Sequence, residues 1–473
     1  MRIKAIKNWQ LKMKNGTKCH CESRFTSSWQ SWKFLGLLRL RLVMTVLLSI
    51  FNFTFLTFNC LYSQSLDLNK CLEIASKENL QIKIAEQKLI SAKAKKGETF
   101  AGYLPNISGS ASYIKRKEVE GASAISGITS VSPTFRFSFA DEMYDNKLTL
   151  TQPVFMWGKI YQSNRQAFLN YKYTVEEFRK TKQEITYKVK EAFYKYILVK
   201  QMVSISKEAF DVTDAHLKIV EKFYDEGRFS SYDVSRAKVS LANAKTNLIR
   251  AENGFDLAKQ SLINILNIKE KDVDFTGELE YQPMDFNQED LIKEALGSRS
   301  ELKQIAFQGE ISQSLVKLAA AGNKPNIAVT GYTEWQNTAW EKNNWYNSWT
   351  AVAVLSMPIF DGFSTHQRVK QAKTNLEQVK LSKEAIEEGI KFEVRAAYLN
   401  YKQAKDSIEA NRENVEAAKD NLTTAQKRFQ LGLMSDIEVR DAQFSLTQTE
   451  TNYIQALYDY NVAIASLEKA IGR

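Results

Sequence analysis

The chain has 473 residues, 44% of them hydrophobic, with 65 Lys and Arg against 54 Asp and Glu, six prolines and four cysteines. A single compact core of this length would be unusual, so two or three domains or an extended shape is expected; the composition excludes a disordered, collagenous or disulfide-rich chain. The net charge of +11 does not mark a nucleic-acid binder: residues 1–41 hold ten basic residues and one acid, Glu22, leaving 55 basic against 53 acidic residues elsewhere, whereas a phosphate-binding surface carries its excess in the folded part.

Arg39 and Arg41 precede an apolar run from Leu42 to Phe58, followed by Asn59-Cys60-Leu61-Tyr62-Ser63-Gln64. Basic flank, short apolar core and small polar exit predict a cleaved secretory signal. The competing reading is a transmembrane anchor, but the run is at the short limit for spanning and Ser49, Asn52 and Thr54 interrupt it. Asn59 and Phe58 argue against lipidation of Cys60, and a start at Met13 or Met44 would shorten the unusual leader. Cleavage near Gln64 removes Cys19, Cys21 and Cys60 and leaves Cys71 alone, so no internal disulfide is expected. Cys19-His20-Cys21 is too short and isolated for zinc. After residue 64 no stretch approaches 18 uninterrupted apolar residues, so a mature chain that crosses a membrane must do so as a closed β-barrel.

From residue 65 onward the sequence is duplicated. Ala75 and Pro105-Asn106 recur 220 residues later as Ala295 and Pro325-Asn326. From Pro153-Val154-Phe155 the offset is 205 and holds through Ala192/Ala397, Tyr196/Tyr401, Gly227/Gly432 and Leu241/Leu446. The halves are placed at 65–268 and 285–473, with a charged connector, 269–284, between them. In the first half a helix is expected over Asp67–Gly102 and strands over Asn106–Lys117 and Thr134–Gln152. A long helix over Gly158–Glu226, a sharp turn at Gly227 and a helix over Tyr232–Asn267 follow. The second half repeats this, with strands near Asn326–Asn337 and Trp345–Met357.

The helices carry a seven-residue period. Val189, Tyr196, Val203, Phe210, Leu217 and Tyr224 are seven apart, and Val394, Tyr401, Ile408, Val415, Leu422 and Phe429 repeat them. Beyond each turn, apolar residues alternate by three and four, from Val234 to Ile265 and from Val439 to Ala470. Such a seam winds helices into a left-handed supercoil. The Gly158–Glu226 helix would be about 100 Å long at 1.5 Å per residue. Each shorter helix is about half that, so two stacked end to end would match one long helix. The strands show period-two patterning instead: Ile107, Gly109, Ala111 and Tyr113 alternate with serines, Leu148 and Leu150 with threonines, and Phe135, Phe137 and Phe139 with Arg136 and Ser138. Trp335, Trp340, Trp345 and Trp349 gather in the second hairpin, as interfacial aromatics do around transmembrane barrels; a soluble hairpin with a packed aromatic cluster is the plainer alternative. Four strands cannot close a barrel when bacterial examples use at least about eight, so the chain must oligomerise.

The duplicated order, Pro105-Asn106 at a helix-to-strand junction, Gln152-Pro153-Val154-Phe155 at strand-to-helix and the turn Phe223-Tyr224-Asp225-Glu226-Gly227 resemble the TolC-type outer-membrane efflux proteins over residues 65–473. The resemblance implies a mainly α fold with a transmembrane β part. A homotrimer would form a 12-stranded β-barrel in the outer membrane of a Gram-negative bacterium, continued across the periplasm by a long coiled α-helical barrel. An equatorial belt would take in Lys269–Glu301. It further implies an exit duct that meets outer-membrane lipid and docks onto a periplasmic adaptor and, through it, an inner-membrane pump of an efflux or type I secretion system.

A duct needs an inner end that stays shut until engaged. The turns at Gly227 and Gly432 suit that role, since glycine takes the left-handed conformation that ends a helix. Acids follow each turn: Asp233 in the first half, Asp436, Glu438 and Asp441 in the second. Glu438 and Asp441 share a helix face, and three copies would form acidic rings that favour cations. The family's constriction acids align with Glu438 and Asp441. The plainer reading is strong: Ser230-x-x-Asp233 and Ser435-x-x-Glu438 both fit capping boxes, and Asp441 could be a solvated charge. Where the resemblance places a Tyr and an Arg that latch the second tip, this chain has Phe429 and Met434, so closure would depend on packing or other contacts. Arg228, Phe229, Leu431, Leu433 and Met434 surround the tips, where they would suit an adaptor's helical tip or merely pack the helix ends.

No GxGxxG, P-loop, GxSxG or HExxH is present, and His216 and His366 have no visible ligand set. A channel without enzymatic activity, metal or cofactor is expected. The alternative is a periplasmic coiled-coil adaptor or scaffold without a pore, which would not need four alternating strands.

Overall fold

The structure is a computed structural model that describes residues 65–115, 142–269, 273–337 and 345–473. The leader, Phe135, Phe137, Phe139 and Trp340 lie outside the described residues. The elements in order are β1 (Ser65–Leu66), α1 (Leu68–Glu78), α2 (Leu80–Phe100), β2 (Asn106–Lys115), β3 (Glu142–Phe155), α3 (Lys159–Asp225) and α4 (Ser231–Leu266). The second half follows with β4 (Asp274–Phe275), α5 (Gln288–Ser298), α6 (Ser300–Ala320), β5 (Asn326–Asn337), β6 (Tyr346–Ser356), α7 (Ser364–Gln430) and α8 (Asp436–Ile471). Both long helices have 67 residues and both helices after the turns have 36. At 1.5 Å per residue, α3 and α7 are each about 100 Å long.

The seam residues explain why helices of this length hold together. α3 packs on α2 near the strands, where Lys88 reaches Glu177 at 3.2 Å, and on α4 further along, where the Tyr196 and Phe255 rings sit 5.1 Å apart. Val189, Tyr196 and Leu217 are buried, as are Val394, Tyr401, Ile408, Leu422 and Phe429. Tyr224, the last of the first series, is exposed, because α3 ends one residue later and no helix covers it.

The helix expected over Asp67–Gly102 is two helices. Asn79 takes extended backbone (ψ 128) between α1 and α2, its side chain accepting from the Gln81 and Ile82 amides. Its Nδ2 donates to the Ile265 carbonyl at 2.8 Å. Arg299, 220 residues on, breaks the second half in the same way (ψ 126). Neither position carries a helix breaker, so local propensity reads through both; the tertiary contacts of Asn79 select the extended backbone. β3 also runs past Gln152 to Phe155, with a register shift between Pro153 and Phe155. Proline is tolerated there because a bulge needs no ladder N–H.

β2, β3, β5 and β6 form one antiparallel sheet in that order. Its register separates two faces. Ile107 pairs with Leu150 and Gly109 with Leu148, and Leu150 continues to Gly331 and Leu148 to Thr333, then to Ala351 and Trp349. Trp335 and Leu355 share that apolar face by alternation. The opposite face carries Ser108, Ser110, Thr149, Lys147, Asp145, Thr330, Tyr332 and Glu334. The Lys147 ammonium lies 3.8 Å from the Tyr332 ring centroid on this polar face. One face suits lipid and the other a wet lumen. No described helix is long and apolar enough to cross a membrane.

A belt packs around the midpoint of the long helices. β1 pairs in parallel with β4, and Leu66, Cys71, Ala75, Phe275 and Leu279 bury against Val189, Phe193 and Tyr196. The Tyr196 hydroxyl donates to Asp274 at 2.7 Å. The connector is strapped down by Tyr401 and Tyr460, whose hydroxyls donate to the Met284 and Gln282 carbonyls.

Candidate functional site at the helix-turn tips

Both tips are built by the same backbone device. Gly227 (φ +73) and Gly432 (φ +75) are left-handed. In the first tip the Gly227 amide donates to Tyr224 O at 2.9 Å and the Arg228 amide to Phe223 O at 2.8 Å. In the second, Gly432 donates to Phe429 O and Leu433 to Arg428 O, both at 2.9 Å. These paired bonds satisfy the last carbonyls of each long helix, and glycine alone takes that φ without steric cost.

The next helices start with capping boxes. The Asp233 carboxylate accepts from the Ser230 amide at 3.0 Å and the Ser230 hydroxyl at 2.7 Å. Glu438 accepts from the Ser435 amide at 2.8 Å and its hydroxyl at 2.7 Å. The serine amide and hydroxyl hold both carboxyls below the usual carboxylate range, so both stay ionised at neutral pH. Asp441 is exposed one turn after Glu438, on the side of α8 away from buried Val439 and Ala442.

The tip residues divide into packed and open groups. Phe223, Phe229 and Phe429 form a ring cluster with centroids 5.5–6.0 Å apart, and half-buried Met434 packs against it. The Arg228 guanidinium lies over the Phe223 ring at 4.2 Å. A Cβ on Gly432 would sit 3.4 Å from the Arg228 Nη2, so the two tips touch. Leu431 and Leu433 are 73% and 67% exposed. Far from the tips, Trp335 and Trp349 lie on the apolar face of the sheet, and Trp345 immediately precedes β6.

Sequence reasoning names His216 and Asp436 separately and misses that they meet. His216 Nε2 and Asp436 Oδ1 are 2.6 Å apart, and both side chains are buried. The contact joins α3 of the first half to α8 of the second. The Arg440 Nε lies 3.3 Å from the other carboxylate oxygen, and the Phe429 ring sits 5.0 Å from the imidazole. Burial pushes the Asp436 carboxyl up, but the His216 hydrogen bond and charge, with Arg440 and Arg236, outweigh it and leave it below the usual range. His216 is therefore an interfacial histidine and not a solvated one. The positions 205 residues away are Asn421 for His216, Ser231 for Asp436 and Ser235 for Arg440, so the duplication supplies this clasp once per chain. One signal could have found it: a histidine beside seam residue Leu217 and an acid opening a helix are both polar groups at a packed boundary.

Among the described residues no group of His, Cys, Asp and Glu could hold a metal ion. The family described as "Outer membrane efflux protein" matches residues 71–267 and 291–473, one block in each half. The outer membrane protein TolC of Vibrio cholerae is 21% identical over 314 residues, 63% of this chain and 69% of that protein. The alkaline protease secretion protein AprF of Pseudomonas aeruginosa is 20% identical over 332 residues, 69% of each. The crystal structure of the Campylobacter jejuni CmeC outer membrane channel superposes with a TM-score of 0.76 at 18% identity, covering 86% of this chain and 85% of that one. The two-faced sheet, the paired 67-residue helices and the match in both halves lead to one conclusion: this chain belongs to the outer membrane efflux protein family and is an outer-membrane channel protein of the efflux and secretion type.

Proposed function

We propose that the protein acts as a homotrimeric exit duct. Its periplasmic end is shut by the second helix pair, α7 and α8, held against α3 by the His216–Asp436–Arg440 clasp. The observation that carries this reading is the buried 2.6 Å contact between His216 and Asp436, about two turns from the α3 tip and at the first residue of α8. Phe429 and Met434 offer no polar latch, but Phe429 packs on the clasp histidine. Moving α8 away from α3 would break the His216–Asp436 hydrogen bond and uncover the Phe429 packing beside it, so the closed arrangement resists until something compensates. The acids Asp233, Glu438 and Asp441 would line the mouth as rings biased toward cations. Leu431 and Leu433, with Arg228 and Gly227 beside them, offer exposed surface to a periplasmic adaptor, which would couple the duct to an inner-membrane transporter.

Single-channel recording tests the clasp. His216→Ala and Asp436→Asn should each raise the conductance or open probability of the reconstituted protein severalfold, and the double variant should add little to either. Unchanged conductance in both single variants would remove the clasp from the gate.

A further inference from the structure

A second feature lies at the other end of the helices. α2 and α3 leave a groove of about 600 Å³ between them, lined by Lys93, Lys96, Phe100, Tyr161, Arg165 and Phe168. It begins immediately below the strands. Phe100 lies six residues before β2, and Tyr161 six residues after β3. Lys96 and Arg165 each lie four residues, about 6 Å, further along their helices at 1.5 Å per residue. That depth matches the polar headgroup layer, which adds roughly 5–8 Å to each side of the hydrocarbon.

The groove faces outward. Tyr161 and Phe168 stand five and four heptads before Tyr196, and Arg165 and Lys172 four and three heptads before Phe193. Tyr196 and Phe193 are covered by the belt, through Phe275 at 5.2 Å and Gly277 in close contact. Belt elements on the inner wall would block a duct, so that stripe of α3 points away from the lumen. This step rests on the reading of the chain as a channel.

Its charge is unbalanced. Arg165 pairs with Glu310 at 3.2 Å and the adjacent Lys95 with Glu98 at 2.7 Å. Lys93, Lys96 and Lys172 have no carboxylate partner among the described residues. The Lys96 ammonium lies 5.1 Å and the Lys172 ammonium 4.8 Å from the centroid of the same Phe168 ring. Two cations drawn to one ring repel each other, and an anion between them would relieve that repulsion. Above them, exposed Phe100, Tyr103 and Tyr161 form an aromatic wall. The fold does not require this. In the second half Lys93 is replaced by Gln313, Lys96 by Val316, Phe100 by Ala320, Phe168 by Lys373 and Lys172 by Glu377, so neither the aromatic wall nor the pair of cations over one ring is repeated there.

We propose that the α2–α3 groove binds the phosphate headgroup of an anionic glycerophospholipid from the inner leaflet of the outer membrane. Lys93, Lys96 and Lys172 meet the phosphate, and Phe100, Tyr103 and Tyr161 take the glycerol backbone and first methylenes, as basic pockets at membrane interfaces do.

Native mass spectrometry of the full-length trimer released from detergent, titrated with phosphatidylglycerol or phosphatidylcholine, tests this. Wild type should retain phosphatidylglycerol about tenfold more than phosphatidylcholine. The Lys93→Gln, Lys96→Gln, Lys172→Gln triple variant should lose most of that preference, and Arg368→Gln should keep it. Excess glycerol 1-phosphate should not displace the lipid. Equal retention of the two lipids by wild type, or full displacement by the free headgroup, would overturn the proposal without any variant. So would undiminished preference in the triple variant. Bilayer conductance of the wild type is measured alongside: a non-conducting protein would speak against the channel reading, whereas a conducting one with no lipid preference would sink the groove alone.

Discussion

Glu438 caps a helix, and the proposed acidic ring would give it a second duty. Its carboxylate completes the start of α8 by accepting from Ser435, and the same ionised group faces solvent beside Asp441. Capping and selectivity separate by substitution. Glu438→Gln keeps an acceptor for Ser435 and removes the charge, so helix protection in hydrogen exchange should stay near wild type while the cation preference falls. Replacing both Glu438 and Asp441 with alanine should lower the cation-to-anion permeability ratio measured by reversal potential in bilayers; an unchanged ratio would dismiss the acidic ring. Asp436 sets a pH dependence of opposite origin. Its folded carboxyl lies below the ordinary value of about 3.9. Its contribution is therefore fully present above about pH 4 and is lost as pH falls through the depressed folded value. Channel opening on acidification below about pH 4 should include this loss, and Asp436→Asn should flatten that part of the conductance–pH profile.

At the scale of elements, the two helix breaks fix where the barrel helices leave the belt. Arg299 is buried at its break, donating to the Lys469 and Ala470 carbonyls at 3.2 Å each and to Glu393 at 2.7 Å. It also lies 3.0 Å from a Glu301 oxygen. Burial pushes the Glu301 carboxyl up, but its backbone hydrogen bond, Arg299 and Lys180 together leave it below the usual range. Arg299→Ala would remove the charged hydrogen bonds to Glu393 and to the last carbonyls of α8, a loss of about 2–3 kcal/mol. Denaturant titration followed by circular dichroism should show this as a lower midpoint. Asn79 does the parallel work with neutral groups, so Asn79→Ala should cost less, about 1–2 kcal/mol. An equal effect from the two substitutions would mean that the charge on Arg299 contributes nothing beyond neutral hydrogen bonds.

The whole molecule is incomplete as one chain. β2 and β6 lie at the ends of the four-stranded sheet, and among the described residues no strand pairs with their outer edges, which are of the kind that recruit another strand. An open edge is not tolerated in hydrocarbon, so the homotrimer proposed above would pair the edges of neighbouring copies. Proline at two consecutive positions, Ala351 and Val352, removes the edge N–H whichever of the two points outward. The variant should lose the trimer band that resists dodecyl sulfate on unheated gels. A trimer that survives would place the inter-subunit contact in the helices instead.

Much of this architecture was written locally. Heptads at Val189–Leu217 and Val394–Phe429, alternation at Ile107–Tyr113 and turn glycines at 227 and 432 each express a rule that reaches seven residues or fewer. The 205-residue repeat let one half check the other. The sequence by itself therefore determined which segments coil, which alternate and where the helices reverse. Only the tertiary structure decided that Asn79 and Arg299 interrupt helices, that Asp436 closes on His216 220 positions away, and that Lys96 and Lys172 meet at the Phe168 ring. Those depend on which surfaces of the two halves face each other, and a short-range pattern carries no information about a neighbour supplied by a distant part of the chain.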